Sequence, residues 1–143
     1  MIDFVLNKKD LTKRDLPHGL KVGETKDSHI IMTCINLFNK DVSWGGMFDV
    51  FEAERRIKDG QKMFVASIDD EIFGYCWLEE LNPQEFYIYN AFSKKTDYLK
   101  RYGAIDIVHY IIKNYTRGII KLKVDVWNTK SLKIIKKLGF SPC

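Results

Sequence analysis

Two apolar runs, Met63-Phe64-Val65-Ala66-Ser67-Ile68 and Ile72-Phe73-Gly74-Tyr75-Cys76-Trp77-Leu78, flank Asp69-Asp70-Glu71 and predict a tight antiparallel hairpin. A third run, Glu85-Phe86-Tyr87-Ile88-Tyr89-Asn90-Ala91-Phe92, follows Asn82-Pro83 and reads as another strand. Upstream, Leu16-Pro17-His18-Gly19 is a turn signal that introduces a short strand at Leu20-Lys21-Val22-Gly23. Asp27-Ser28 then caps a helix over Ile30–Phe38, and a second helix runs through Phe48, Phe51 and Ile57 to Gly60. Residues 1–18 mix polar and apolar positions without a clear period and are read as a leading arm.

Downstream the helical period returns. Ile107, Val108, Ile111 and Ile112 form a stripe behind Lys100-Arg101-Tyr102-Gly103-Ala104-Ile105. Lys121-Leu122-Lys123-Val124 alternates as a strand, and the strand formers Val126 and Trp127 extend it to Asn128, a preferred N-cap. From Asn128 a helix is expected with Leu132, Ile135 and Leu138 on one face, Lys130, Lys133 and Lys137 on another, and Gly139 as its left-handed stop. The predicted order is strand, two helices, three strands, helix, strand, helix. That order suits one α/β domain over residues 1–143.

Composition agrees with a packed domain, because 143 residues that are 45% hydrophobic and 13% aromatic supply a sizeable core. No apolar run reaches the roughly 18 residues of a membrane span, and Met1-Ile2-Asp3-Phe4 with Lys8-Lys9-Asp10 lacks the apolar segment of a signal peptide. A soluble, cytoplasmic protein is expected. Cys34, Cys76 and Cys143 lack metal-ligand spacing, so reduced thiols are expected and no metal site. The net charge of +4 is unevenly spread: residues 94–143 hold twelve Lys and Arg against three Asp and Glu. Anion binding therefore belongs to the C-terminal third. His109, isolated among apolar residues, is read as structural.

The run Asn128-x-x-Ser131-x-x-Ile134-Ile135-x-Lys137-x-Gly139-Phe140 resembles the last strand-to-helix unit of the GCN5-related N-acetyltransferases, and a hairpin whose second strand begins Ile-Phe-Gly resembles their paired central strands. The resemblance implies an α/β (α+β) fold with a mixed, mostly antiparallel central sheet flanked by helices. It also implies acetyl-CoA (coenzyme A) as the acyl donor and direct attack by the primary amine of a small-molecule or peptide acceptor. Asn128 and Ser131 match positions that contact the pantetheine arm, and the backbone of Ala91 and Phe92 would pair with it like a strand. Lys100, Arg101, Tyr102, Gly103 and Ala104 stand where the family cradles the pyrophosphate. Lys100 replaces the usual Arg or Gln, and Ile105 replaces a small residue. Within Ser43-Trp44-Gly45-Gly46-Met47, Trp44 and Met47 are candidates for gripping the acceptor.

Direct attack needs a proton acceptor for the amine. Glu79 and Glu80, at the end of the hairpin's second strand, are the candidates, with Tyr89 or Tyr87 to orient water. Ile135 stands where the family usually has Tyr, its proton donor, which keeps a catalytically silent CoA-binding module as the alternative. A nucleic-acid binder using the basic third is disfavoured, because Phe86, Tyr87 and Tyr89 do not punctuate the lysine stretch. The family adds a final strand after Gly-Phe. This chain runs on only through Ser141-Pro142-Cys143, so the usual last strand is expected to be missing. The edge at Lys121–Val124 should then be completed by a second copy, making a homodimer, or by the N-terminal arm.

Overall fold

Strand formation begins inside the segment read as an arm: Ile2–Asn7 form β1, with Phe4 and Leu6 buried and Asp3 and Asn7 outward. The alternation is short, but it is the period-two pattern of a half-buried strand. Asn7 then caps a single 3-10 turn, Lys8–Asp10. The computed structural model describes residues 1–41, 50–93 and 103–143.

From β2 to α4 the elements follow the predicted order, β2 (Leu20–Thr25), α1 (Ser28–Asp41), α2 (Val50–Lys58), β3 (Gln61–Ile68), β4 (Glu71–Asn82), β5 (Glu85–Ser93), α3 (Ala104–Tyr115), β6 (Ile119–Val124) and α4 (Thr129–Leu138), and a short β7 (Ser141–Pro142) comes after them. Among the described residues they build one seven-stranded sheet in the order β2-β3-β4-β5-β6-β1-β7. Only β5 and β6 are parallel. The fold class expected from the sequence is therefore observed.

The expected gap beside β6 is filled from the other end of the chain. β1 pairs antiparallel with β6 from Ile2↔Val124 to Asn7↔Ile119, so the arm completes the sheet. Ser141–Pro142 add a two-residue bridge on the far side of β1, at Phe4↔Pro142 and Val5↔Ser141, in place of a full last strand. Burying Phe4 and Leu6 stabilises this arrangement by about 1.5–3 kcal/mol per side chain.

Two further boundaries differ from expectation. The hairpin turn contains only Asp69 and Asp70, since Ile68 and Glu71 are paired, and both turn residues have positive φ, 51° and 65°. That is the mirror-image geometry whose twist matches the flanking strands. Strand β6 ends at Val124, four residues before the cap; Val126 and Trp127 are 63% and 68% exposed, and among the described residues no strand pairs with them. Their β-propensity is not backed by burial.

The sheet separates two apolar layers. Ile31, Cys34, Ile35 and Ala53 of α1 and α2 pack on Met63, Tyr75 and Trp77. On the other face, α3 and α4 bury Ile107, Ile111, Ile112, Ile135 and Leu138 against Phe64, Cys76, Leu78, Ile120 and Leu122. Asp27 caps α1 by accepting from His29 N at 2.8 Å and Ile30 N at 3.3 Å. Gly139 closes α4 at φ +108°, and an added Cβ there would lie 2.8 Å from Asp10 O, so the position requires glycine twice over.

Residues 8–14 strap the second layer. Thr12 N donates to Leu138 O at 3.1 Å, and His109 Nε2 donates to Thr12 O at 2.9 Å. His109 is 3% exposed, and this bond ties α3 to the strap.

Candidate functional site

Strands β5 and β6 pair only at Glu85↔Ile119, Phe86↔Ile120 and Tyr87↔Lys121, and then diverge. On its other side β5 stays paired with β4, but irregularly: Cys76 faces Ala91 while Leu78 faces Ile88, so β5 carries an extra residue between them. Such a bulge bends its strand and re-aims the side chains around it. Here it falls where the sheet splits, and the split opens a cavity of about 610 Å³.

The cavity passes from one face of the sheet to the other. On the α3 and α4 side its walls are apolar, with Ile88, Val108, Leu122, Ile134 and Ile135, and they end at Ala104, Asn128 and Ser131. On the α1 and α2 side the lining turns polar and aromatic, with Glu52, Arg56, Tyr75, Trp77 and Tyr89. Lys123, Asp125 and Trp127 form the β6 rim.

Asn128 sits at the N-cap of α4, and its Oδ1 accepts from Ser131 N at 3.2 Å. Both residues expected at the pantetheine arm thus stand together on the cavity wall. Ala91 and Phe92 line the cavity as well, and the pairing of β5 with β6 stops at Tyr87. Where a strand parts from its neighbour, its N–H and C=O groups alternate along that edge, which fits a ligand built from consecutive amides. Gly103 is the N-cap of α3 and Ala104 its first residue. Lys100, Arg101 and Tyr102, like Trp44 and Met47, lie outside the described residues.

The two candidate carboxylates part company. Glu79 shares the face of Tyr75 and Trp77, and the Tyr89 hydroxyl donates to its Oε1. Glu80 lies on the opposite face, lines a separate pocket of about 230 Å³ and pairs with Arg117 Nη2 at 2.8 Å. The strand's alternation decides this, since adjacent residues cannot face the same side. Glu80 is therefore on the face away from Trp77 and Tyr89, whereas Glu79 reaches the cavity through Tyr89, which lines it. The Tyr89 phenol is pushed up to about 12, first by burial and then by its bond to Glu79 and that group's charge.

Ile135, at the position of the family's Tyr, is 5% exposed and lines the cavity with hydrocarbon. The wall residues Glu52, Arg56, Tyr75, Trp77, Asp125 and Trp127 were not singled out by sequence. Glu52 and Arg56 carried a readable signal, the i,i+4 spacing of a helical ion pair, observed here at 3.2 Å. Nothing in that spacing told which strands they face. Arg56 also lies over the Trp77 ring, 5.4 Å from its centroid. Among the described residues no group of three or more His, Cys, Asp or Glu is placed to hold a metal ion. No described helix is long and apolar enough to cross a membrane.

No protein-family model and no curated protein sequence matches the chain. Solved structures do resemble it. An aminoglycoside acetyltransferase from an uncultured soil metagenomic sample, in complex with sisomicin, matches with a TM-score of 0.64 at 14% identity, over 85% of this chain and 88% of that one. Ard1 from Thermoplasma volcanium matches at 0.62 and 12% identity, over 86% and 83% of the two chains. A GCN5-related N-acetyltransferase from Kribbella flavida matches at 0.62 and 9% identity; 99% of this chain spans 53% of that one.

Proposed function

Because the chain has the fold of the GCN5-related N-acetyltransferases, we propose that it is an acetyl-CoA-dependent N-acetyltransferase acting on a primary amine. One observation carries the reading: the cavity through the β5–β6 split joins a capped-helix wall on one face to a polar mouth on the other, where the Tyr89 phenol is hydrogen-bonded to the Glu79 carboxylate behind it. Donor and acceptor sites on opposite faces let a nucleophile meet an acyl group inside the split.

When bound, acetyl-CoA supplies an acetyl group already activated as a thioester. Asn128, Ser131 and the backbone of β5 at Ala91 and Phe92 would hold its amide-bearing arm. The start of α3, entered at Gly103 and with the Ala104 amide as a donor, would hold its phosphates together with Lys100, Arg101 and Tyr102 of the preceding segment. An alkylammonium of pKa about 10 must lose a proton before its nitrogen can attack. Glu79 accepts that proton, directly or through water, and Tyr89 fixes the carboxylate. Trp77, Tyr75, Arg56 and Glu52 form the acceptor's wall, with Trp44 and Met47 gripping it from the adjoining segment. Ile135 offers no proton to a departing sulfur; solvent supplies it, which a thiol of pKa about 8.5 tolerates. The free thiols Cys34, Cys76 and Cys143 agree with a reducing compartment such as the cytoplasm.

The hydrocarbon at Ile135 also supports a second reading, a CoA-binding module that turns over no amine. Both readings predict binding, so the thermal midpoint with and without acetyl-CoA comes first. At a hundredfold excess over Kd, binding stabilises by about 2.7 kcal/mol. Gly103→Glu, at an extended position with room for a Cβ, should remove the shift by setting a carboxylate at the helix start. Release of free CoA thiol with a panel of primary amines then separates enzyme from silent module. No shift with millimolar acetyl-CoA sinks both.

A further inference from the structure

Asp106, the third residue of α3, is 1% exposed, and each of its carboxylate oxygens is engaged. Oδ2 accepts from Gly103 N at 3.0 Å, and Oδ1 accepts from Arg14 Nε at 2.8 Å. The first bond is a local capping arrangement. The second crosses 92 positions of sequence and brings a guanidinium, 32% exposed, from the N-terminal strap to the first turn of the helix. The strap climbs α3 to reach it, from the Thr12–His109 bond at mid-helix to Arg14–Asp106 one turn nearer the start.

This placement poses an electrostatic problem if α3 receives phosphates. A buried carboxylate in the first turn suits the helix dipole, but it also repels any anion that approaches the same end. It further occupies the Gly103 N–H, leaving the amides of Ala104 and Ile105 as the described donors there. We propose that Arg14 is a positioning residue for the anionic cofactor: it neutralises Asp106 and so keeps the start of α3 attractive to phosphate. The inference rests on the reading of the cavity as a CoA site. It makes the N-terminal strap part of the cofactor site, through charge and not through contact.

The test compares CoA with pantetheine, which has the same arm without phosphates, by titration calorimetry on the full chain. Asp106→Asn keeps an oxygen for the Gly103 N–H while freeing the Arg14 charge, so CoA should bind about three- to tenfold more tightly, corresponding to about 0.6–1.4 kcal/mol, and pantetheine no differently. Arg14→Gln should weaken CoA by about tenfold with pantetheine unchanged, and Arg14→Gln with Asp106→Asn should return CoA to near the wild-type Kd. A purely structural contact would not produce a gain in Asp106→Asn, and would move both ligands together. If wild type binds CoA but Asp106→Asn leaves its Kd within twofold, or shifts both ligands equally, the proposal is overturned. Should Arg14→Gln fail to fold, Asp106→Asn and the double variant, which bury no unpaired charge, still decide the matter. Wild type binding neither ligand would instead overturn the cofactor site itself.

Discussion

The Tyr89 hydroxyl donates to the Glu79 carboxylate across the β4–β5 pair, at the bulge where β5 turns away from β6. With its phenol pushed up to about 12, Tyr89 keeps its proton through the neutral range and remains a donor. The bond holds the carboxylate in one orientation behind Tyr89, which lines the polar side of the cavity.

Removing the carboxylate tests its role as base. Glu79→Gln should lower kcat by about a hundredfold or more while the Kd for acetyl-CoA stays unchanged, the usual scale for a lost general base. Tyr89→Phe, which only loosens Glu79, should cost less, on the order of tenfold. A rate untouched in Glu79→Gln would remove this residue from the mechanism. Glu80→Gln, on the other sheet face with Arg117, should leave kcat unaltered.

The cap at α4 separates folding from binding. Asn128→Ala removes the bond to Ser131 N and should lower stability by about 1 kcal/mol. Asn128→Asp retains a capping oxygen, so its thermal midpoint should stay near wild type. It replaces the side-chain amide with a charge on the cavity wall, however, and acetyl-CoA should bind at least tenfold more weakly. Equal affinity in both variants and wild type would detach Asn128 from the cofactor.

Cys34 and Cys76 are fully buried, and burial pushes both thiols up to about 12. Only Cys143 is exposed. A thiol reagent at pH 8 should therefore label one cysteine in the native protein and three in denaturant. The sign of the pH effect follows from the same shifts. A thiol pKa raised in the folded state contributes stability that is whole below the unfolded value of about 8.5 and is lost as pH climbs toward 12. The thermal midpoint should decline over that window, and replacing both buried cysteines with Ala should flatten the decline.

Strand β1 should matter to assembly as well as to stability. Phe4 is 1% exposed, and Phe4→Ala should cost about 3–5 kcal/mol. It should also loosen the cover on β6, whose edge would then be open to a second copy. Light scattering should find wild type monomeric and the variant prone to association. A stable wild-type dimer would show that covering this edge does not prevent self-pairing.

Much of this architecture was legible from local pattern. The hairpin, the cap at Asn128, the stop at Gly139 and the buried stripe of α3 are each set by residues a few positions apart, and short-range sterics and periodicity decide them. The strand of β1 was missed because an alternation of only Phe4 and Leu6 looks like a mixed arm until β6 lies beside it. Trp127 reads as a strand residue because its propensity is real, but among the described residues no layer covers it and it stands at the cavity rim.

Sequence alone thus determined the element order from β2 to α4, the capped helix at Asn128 and a set of acidic and aromatic candidates, Glu79, Glu80, Tyr87 and Tyr89. It could not choose Glu79 over Glu80, because one residue of strand register exchanges the two faces. Nor could it bring Arg14 to Asp106, or lay β1 beside β6, since contacts across about a hundred positions follow from how the sheet closes and not from any local preference. Tertiary structure made those choices: burial of Phe4, Leu6 and the α3 stripe on one face of the sheet holds the strap, the carboxylates and the split strands in place.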